Sequence, residues 1–294
     1  MSMRSRFYSL AAQALEDDER VWVVLADIGA AELPRHPRVV KVGIREQLMI
    51  GVAAGLGLAG KRPIVHSYAP FLVERPWEQI KLDLGHNDVG AILVSNGASY
   101  DASRAGRTHQ APEDVALLAT LPGWRIDVPG HPDELERAFR RALPGDDRVY
   151  IRTTLEENHA PVDGDGLVLL RDGAPLVVAV GPTLAPTLEA TAELDVGVAY
   201  LTTVRPFPRR ELREALGDGD EVVLVEPYLT GTSAAEVSGA LVDRPHRLLA
   251  LGIEHPELRK YGDPSEHRAA HGLDARGIRT SVEHFLRVPS MRRL

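Results

Sequence analysis

Residues 42–60 read V-G-I-R-E-Q-L-M-I-G-V-A-A-G-L-G-L-A-G. Beyond Arg45, Glu46 and Gln47 the stretch carries no polar side chain, and its run of small and apolar residues predicts a buried helix over 44–58. The glycines cost helix propensity and allow a neighbour to pack closely. Glu46 stands at the head of this segment. A carboxylate facing an apolar surface is costly unless a partner meets it, which makes Glu46 a candidate for holding a ligand nitrogen. The helix dipole alone also favours an acid there.

The flanking segments alternate strand and helix. Residues 21–26 (V-W-V-V-L-A) form a continuous apolar run that ends at Asp27. Strands are expected at 62–67, 91–95, 125–128 and 148–152, and helices at 75–87, 113–120 and 133–142. The helix at 75–87 carries Gln79, Lys81 and Asp83 on its polar side. Continuous rather than alternating apolar strands, interleaved with helices, argue for mostly parallel sheets covered on both faces. Residues 156–171 are rich in Gly, Asp and Pro, as in a linker. A second α/β pattern follows, with strands at 176–180, 197–201, 221–225 and 247–251 and helices at 184–193, 209–216 and 233–241. A helical stretch at 277–286 and a basic end complete it. The expected fold class is α/β with two domains, 1–158 and 173–294, each a mostly parallel sheet flanked by helices, joined by a linker at 159–172.

The chain has 294 residues, long enough for two cores. Its 34 basic and 42 acidic side chains leave a net charge of −8, which draws it neither to nucleic acid nor to anionic lipid. With no cysteine, disulfides, thiolate metal sites and a cysteine nucleophile are all excluded. The first residues lack the apolar core of a signal peptide, and no apolar run reaches membrane-spanning length. A cytoplasmic protein with small-molecule substrates is expected.

Four motifs stand in order along the chain: G-x-x-E-Q at 43–47, S-Y-A-P-F at 67–71, T-H-Q at 108–110 and V-Y-I-R at 149–152. Their order and spacing resemble the pyrimidine-binding region of transketolase-type, thiamine-diphosphate-dependent enzymes, with the C-terminal-like domain of that family following. Thiamine diphosphate supplies carbanion stabilisation, and the protein supplies binding, orientation and electrostatics. The resemblance implies that Glu46 hydrogen-bonds the cofactor's pyrimidine and that Ile28, after Asp27 in A-D-I-G, supports the bent cofactor. Tyr68 and Phe71 pack against the pyrimidine ring, with core packing open for Phe71. His109 reaches the reacting carbonyl of the substrate as proton donor or acceptor.

The chain also departs from the family pattern. Where relatives read G-x-D-G-P-T-H-Q, residues 103–110 read S-R-A-G-R-T-H-Q, so Ala105 replaces an aspartate that recognises a sugar hydroxyl and Arg107 replaces a proline. Losing that acceptor removes a polar contact of the kind that carries large specificity ratios. Asn96 falls near a family histidine. Arg104 and Arg107 are either cations for a substrate carboxylate or phosphate, or solvated loop charges. Arg152 matches an arginine that binds a substrate phosphate in relatives.

The family's diphosphate half, with Mg²⁺ bound through G-D-G and a later asparagine, is missing. Two G-D-G triplets occur, at 164–166 and 217–219, but the three asparagines, Asn87, Asn96 and Asn158, all precede them. The resemblance therefore implies a split enzyme with no metal ligands on this chain. A separate N-terminal-type subunit would carry the diphosphate and Mg²⁺ domain, in an α2β2 heterotetramer that transfers a two-carbon ketol unit from a ketose (phosphate) to an aldehyde. The alternatives are the β subunit of a 2-oxo acid dehydrogenase or a decarboxylating acyl-transfer enzyme, and a non-catalytic scaffold.

Overall fold

A computed structural model describes residues 1–254 and 261–288. The strands are β1 (Val21–Leu25), β2 (Val39–Lys41), β3 (Arg62–Ser67), β4 (Ala91–Ser95), β5 (Trp124–Asp127), β6 (Arg148–Ile151), β7 (Leu167–Arg171), β8 (Leu176–Val180), β9 (Gly197–Leu201), β10 (Thr203–Arg205), β11 (Glu221–Leu229) and β12 (Arg247–Ile253). The helices are α1 (Met3–Asp17), α2 (Glu46–Leu58), α3 (Trp77–Gln79), α4 (Asp114–Ala119), α5 (Pro132–Ala142), α6 (Leu184–Ala190), α7 (Arg209–Leu216), α8 (Ala234–Ala240), α9 (Pro264–Ala270) and α10 (Ala275–Arg287).

Two sheets organise the chain, in the orders β10-β5-β6-β4-β3-β1-β2 and β12-β11-β8-β9-β7. Each is parallel except for one antiparallel edge strand, β10 in the first and β7 in the second. Strands β3, β4 and β8 are buried along their whole length, as parallel strands covered on both faces must be. Over the first sheet, α2 packs Met49, Ile50, Ala53 and Ala54 beside Val24 and Val65 on one face. On the other face α1 and α5 bring Phe7, Leu10, Leu135 and Phe139 against Val23, Ile64 and Ile92.

The structure departs from the sequence expectation in several places, and α1, β2 and α9 are not among the expected elements at all. Residues 159–172 are not all linker: 167–171 form β7, a half-exposed edge strand paired with β9. Its flanking Gly and Asp turns conceal it in the sequence. The 173–294 region also reaches back, since β10 pairs antiparallel with β5 and closes the edge of the first sheet. The helix expected at 75–87 is the short α3 followed by a π-helical stretch, Ile80–His86, and a further π-turn, Pro70–Glu74, precedes it. Pro76 lacks the N–H that a continuous helix needs, and π-turns accommodate the extra residue. Finally, α2 is not buried all round: Ile44 just before it and Leu48 and Leu58 on it are 72%, 48% and 67% exposed. The basic end of the tail lies outside the described residues.

Candidate active site

Parallel α/β sheets bind ligands beyond the carboxyl ends of their strands. The connections after these ends carry the expected residues: Asp27 and Ile28 after β1, Glu46 after β2, Tyr68 after β3, Asn96 after β4 and Arg152 after β6. The chain runs from β1 to β2 on one side and on to β3 on the other, so strand order reverses at β1.

After β1, Gly29 turns the chain with φ +84, a conformation that L side chains rarely adopt. Asp27 is exposed and Ile28 half-buried, both at the open edge. Glu46 begins α2 and is 3% exposed. The partner it requires is Arg75, whose Nη1 donates to Glu46 Oε2 at 2.8 Å. Arg75 also lies over Phe71, its guanidinium carbon 4.1 Å from the ring centre. His109 meets Phe71 edge-on at 4.9 Å and Tyr68 at 6.0 Å, while Tyr68 and Phe71 lie 6.2 Å apart. Glu46, Arg75, Phe71, His109 and Tyr68 therefore form one continuous cluster. Phe71 and Tyr68 are only half-buried, so Phe71 is not a core residue.

At the same edge, Asn96 N–H donates to the carbonyl of Ser67 at 2.8 Å. The side-chain atoms Asn96 Nδ2 and Ser67 Oγ are buried and have no partner among the described residues. Buried polar atoms are rarely left unpaired, so these two fit a polar ligand arriving beside Tyr68. A flat heterocycle with polar edges suits this donor set: aromatic faces at Phe71 and Tyr68, and a buried carboxylate within reach.

The loop carrying His109 is braced from both regions of the chain. Gly106, at φ +86, packs so tightly on Tyr261 that a Cβ would fall 2.9 Å from its ring. Ser103 Oγ donates to the Gly262 carbonyl at 2.6 Å, and Ser99 Oγ to that of Pro227 at 2.5 Å. Tyr100 stacks on His267 with ring centres 4.1 Å apart and on His271 at 5.3 Å.

Two of the expected substrate contacts have partners within the chain. Arg152 is fully buried and committed to Asp114 Oδ2 at 2.8 Å and Ser99 Oγ at 2.6 Å, with the Tyr228 ring beside it. These contacts engage Arg152 Nε and Nη2, while Nη1 is buried with no partner among the described residues. Arg107 turns to Glu113 at 2.6 Å and to the Gln110 carbonyl at 2.9 Å, which ties it into its own loop. Arg104, 79% exposed along its side chain, pairs with Asp263. Sequence reasoning missed Arg75 and Ser67. The signal for Arg75 was its spacing of four residues from Phe71, which places both on one face of a helical turn.

Near this cluster, burial and then the Glu113 carboxylate push Glu74 up to about 7. Among the described residues, no three His, Asp or Glu side chains gather as metal ligands, and no helix is long and apolar enough to cross a membrane. The G-D-G triplets are turns, with Gly164, Gly166 and Gly217 at positive φ.

Two α/β regions, the second contributing β10 to the sheet of the first and the first opening an acid and an aromatic cluster at its carboxyl edge, define the pyrimidine-binding and C-terminal part of a transketolase-type protein. The chain belongs to that family, its residues 1–158 matching the family described as transketolase, pyrimidine binding domain. It is 48% identical, over 97% of its length and 95% of the relative's, to an "uncharacterized 33.6 kDa protein in fasciation locus" of Rhodococcoides fascians. It is 30% identical to one of the subunits of the apulose-4-phosphate transketolase of Actinobacillus succinogenes, over 82% of each chain. Among solved structures it resembles a split gene transketolase described as an inactive β4 tetramer. The TM-score there is 0.82 at 25% identity, covering 97% of this chain and 98% of that one. These relatives match over most or nearly all of their length, so the chain is a transketolase-type subunit of the split kind, and the 2-oxo acid dehydrogenase alternative is not favoured.

Proposed function

We propose that this chain supplies the pyrimidine pocket of a two-component transketolase that moves a two-carbon ketol unit from a ketose or ketose phosphate to an aldehyde. The observation that carries this reading is the buried Glu46 carboxylate at the head of α2, reached through Arg75 and Phe71 from His109. Thiamine diphosphate, when bound, supplies the carbanion stabilisation of the reaction. Glu46, at the head of the helix that Met49 and Ile50 anchor in the core, would hold the pyrimidine edge through a shared proton. Phe71 and Tyr68 offer ring faces to the heterocycle, and Ile28 supports it from the β1 edge. His109, half-buried and edge-on to both rings, is read as the group that exchanges a proton with a substrate oxygen. Asn96 Nδ2 and Ser67 Oγ offer unpaired hydrogen-bonding atoms to a hydroxyl or carbonyl.

The diphosphate and Mg²⁺ are assigned to a separate N-terminal-type subunit, because neither G-D-G turn is followed by an asparagine in this chain. The complex is read as α2β2, and the neighbour described as an inactive β4 tetramer supports the reading that this chain alone assembles without turnover. With Ala105 exposed in place of an acid and Arg152 buried, sugar discrimination rests on His109, Asn96 and the partner. The reading places the protein in the cytoplasm.

The test is co-expression with a diphosphate-binding partner, followed by turnover assays with ketose phosphates and with pyruvate. Glu46→Ala should leave assembly intact and lower turnover by about 10²-fold or more, the scale of a lost proton-transfer group. Activity near wild type in that variant would refute the role of Glu46.

A further inference from the structure

The proposed function gives Glu46 to the pyrimidine edge and Phe71 to its face, yet in this chain both are already engaged by one side chain. Arg75 hydrogen-bonds Glu46 at 2.8 Å and covers Phe71 with its guanidinium carbon 4.1 Å from the ring centre. A guanidinium is a flat, delocalised group with N–H donors along its edge and two faces that stack on aromatic rings. An aminopyrimidine that stacks on Phe71 and, protonated at its ring nitrogen, donates to Glu46 presents the same two features. We propose that Arg75 is a placeholder for the cofactor ring. It satisfies Glu46 and shields Phe71 until the aminopyrimidine displaces it.

Three observations support displacement over a permanent pair. The Arg75 side chain is 38% exposed whereas Glu46 is 3% exposed, so one partner can move into water and the other cannot. The backbone of Arg75 is held independently, because its carbonyl accepts from Gln47 Nε2 at 3.2 Å. The guanidinium can therefore swing out without moving the π-helical turn that carries Phe71. Arg152 shows what a permanent pair looks like here: both it and Asp114 are fully buried, and the arginine has a second partner in Ser99.

The exchange keeps the buried carboxylate partnered in both states, which matters because an uncompensated buried charge is unstable. It also makes cofactor binding a competition. The apparent affinity is the intrinsic one multiplied by the fraction of chains in which Arg75 has already released Glu46. The pocket therefore selects for a ligand that replaces both contacts at once, a stacked face and a donating edge.

This inference rests on the reading of Glu46 as the cofactor's partner, and the experiment separates the two. The complex co-expressed with its diphosphate-binding partner is titrated with thiamine diphosphate and Mg²⁺ by NMR and calorimetry, the chain being wild type, Arg75→Gln, Arg75→Met or Glu46→Ala. Removing the competitor should tighten binding in both Arg75 variants by about fivefold or more, as expected when an occluded state is abolished. In the wild type, the Arg75 Nε–Hε signal should move and saturate together with the Phe71 ring signals. Unchanged or weaker binding in folded Arg75 variants, including no binding at millimolar ligand, would overturn the placeholder. An Arg75 signal that stays fixed while the ligand binds would do the same. If Glu46→Ala bound as tightly as wild type, the reading of Glu46 itself would fail, whatever the Arg75 variants show.

Discussion

Arg152 and Glu46 are both buried charges, and their surroundings give them opposite uses. Arg152 and Asp114 are each 0% exposed and pair at 2.8 Å, with the Tyr150 hydroxyl donating to the same carboxylate at 2.7 Å. Removing one member leaves an uncompensated ion in the interior. Asp114→Ala should therefore cost about 3–5 kcal/mol, read from denaturant unfolding. Glu46 instead faces a partner that water can reach, so its truncation should be felt in turnover far more than in stability. Glu74, two places beyond Leu72 in the same π-turn, brings a pH dependence. Burial first, and Glu113 second, raise it from 4.5 to about 7, so the folded chain holds this proton more tightly than the unfolded one. Its contribution is complete below about pH 4.5 and is lost as pH rises through about 7. Glu74→Gln should flatten the decline in melting temperature between those values, and an unchanged slope would remove Glu74 as its source.

At the scale of elements, α2 is apolar on every side yet presents Leu48 and Leu58 to solvent, with Ile44 beside its first turn. A helix that is hydrophobic all round is a buried helix, so this face is expected to be covered in the assembled enzyme. Leu48→Glu should reduce the mass measured by light scattering while the melting temperature of the chain stays close to wild type. A variant that keeps its assembly would show that the α2 face is not the contact. The inner face is read directly from the sequence pattern. The outer one is not, because a segment without polar residues looks the same whether neighbour chain or own core covers it.

Across the whole molecule, the two regions are interlocked. Strand β10 caps β5, and an apolar cluster runs from Trp124 and Ile126 through Val204 and Phe207 to Leu212. The loop that presents His109 is braced by Tyr261, Gly262, His267 and His271 of the second region. A fragment of residues 1–158 keeps every family motif but loses the β5 edge cover and this brace. It should lack the cooperative thermal transition of the full chain and aggregate through the exposed edge. A monomeric, cooperatively folding fragment with the full chain's His109 resonances would contradict this interdependence.

The parallel strands, the helix headed by Glu46 and the motif order were all legible in the residues, because hydrophobic periodicity and local chemistry are properties of short segments. Tyr68, Phe71, His109 and Glu46 were named from those segments, and folding brings them into one cluster. The pairing of Arg75 with Glu46, the enclosure of Arg152 by Asp114 and the capture of Arg107 by Glu113 needed three-dimensional proximity. Ion pairs between residues 29 and 38 positions apart leave no periodic trace. The same holds for β7 and β10, short edge strands whose partners lie far along the chain. Local pattern states which groups a chain owns, and packing decides which of them are already spent.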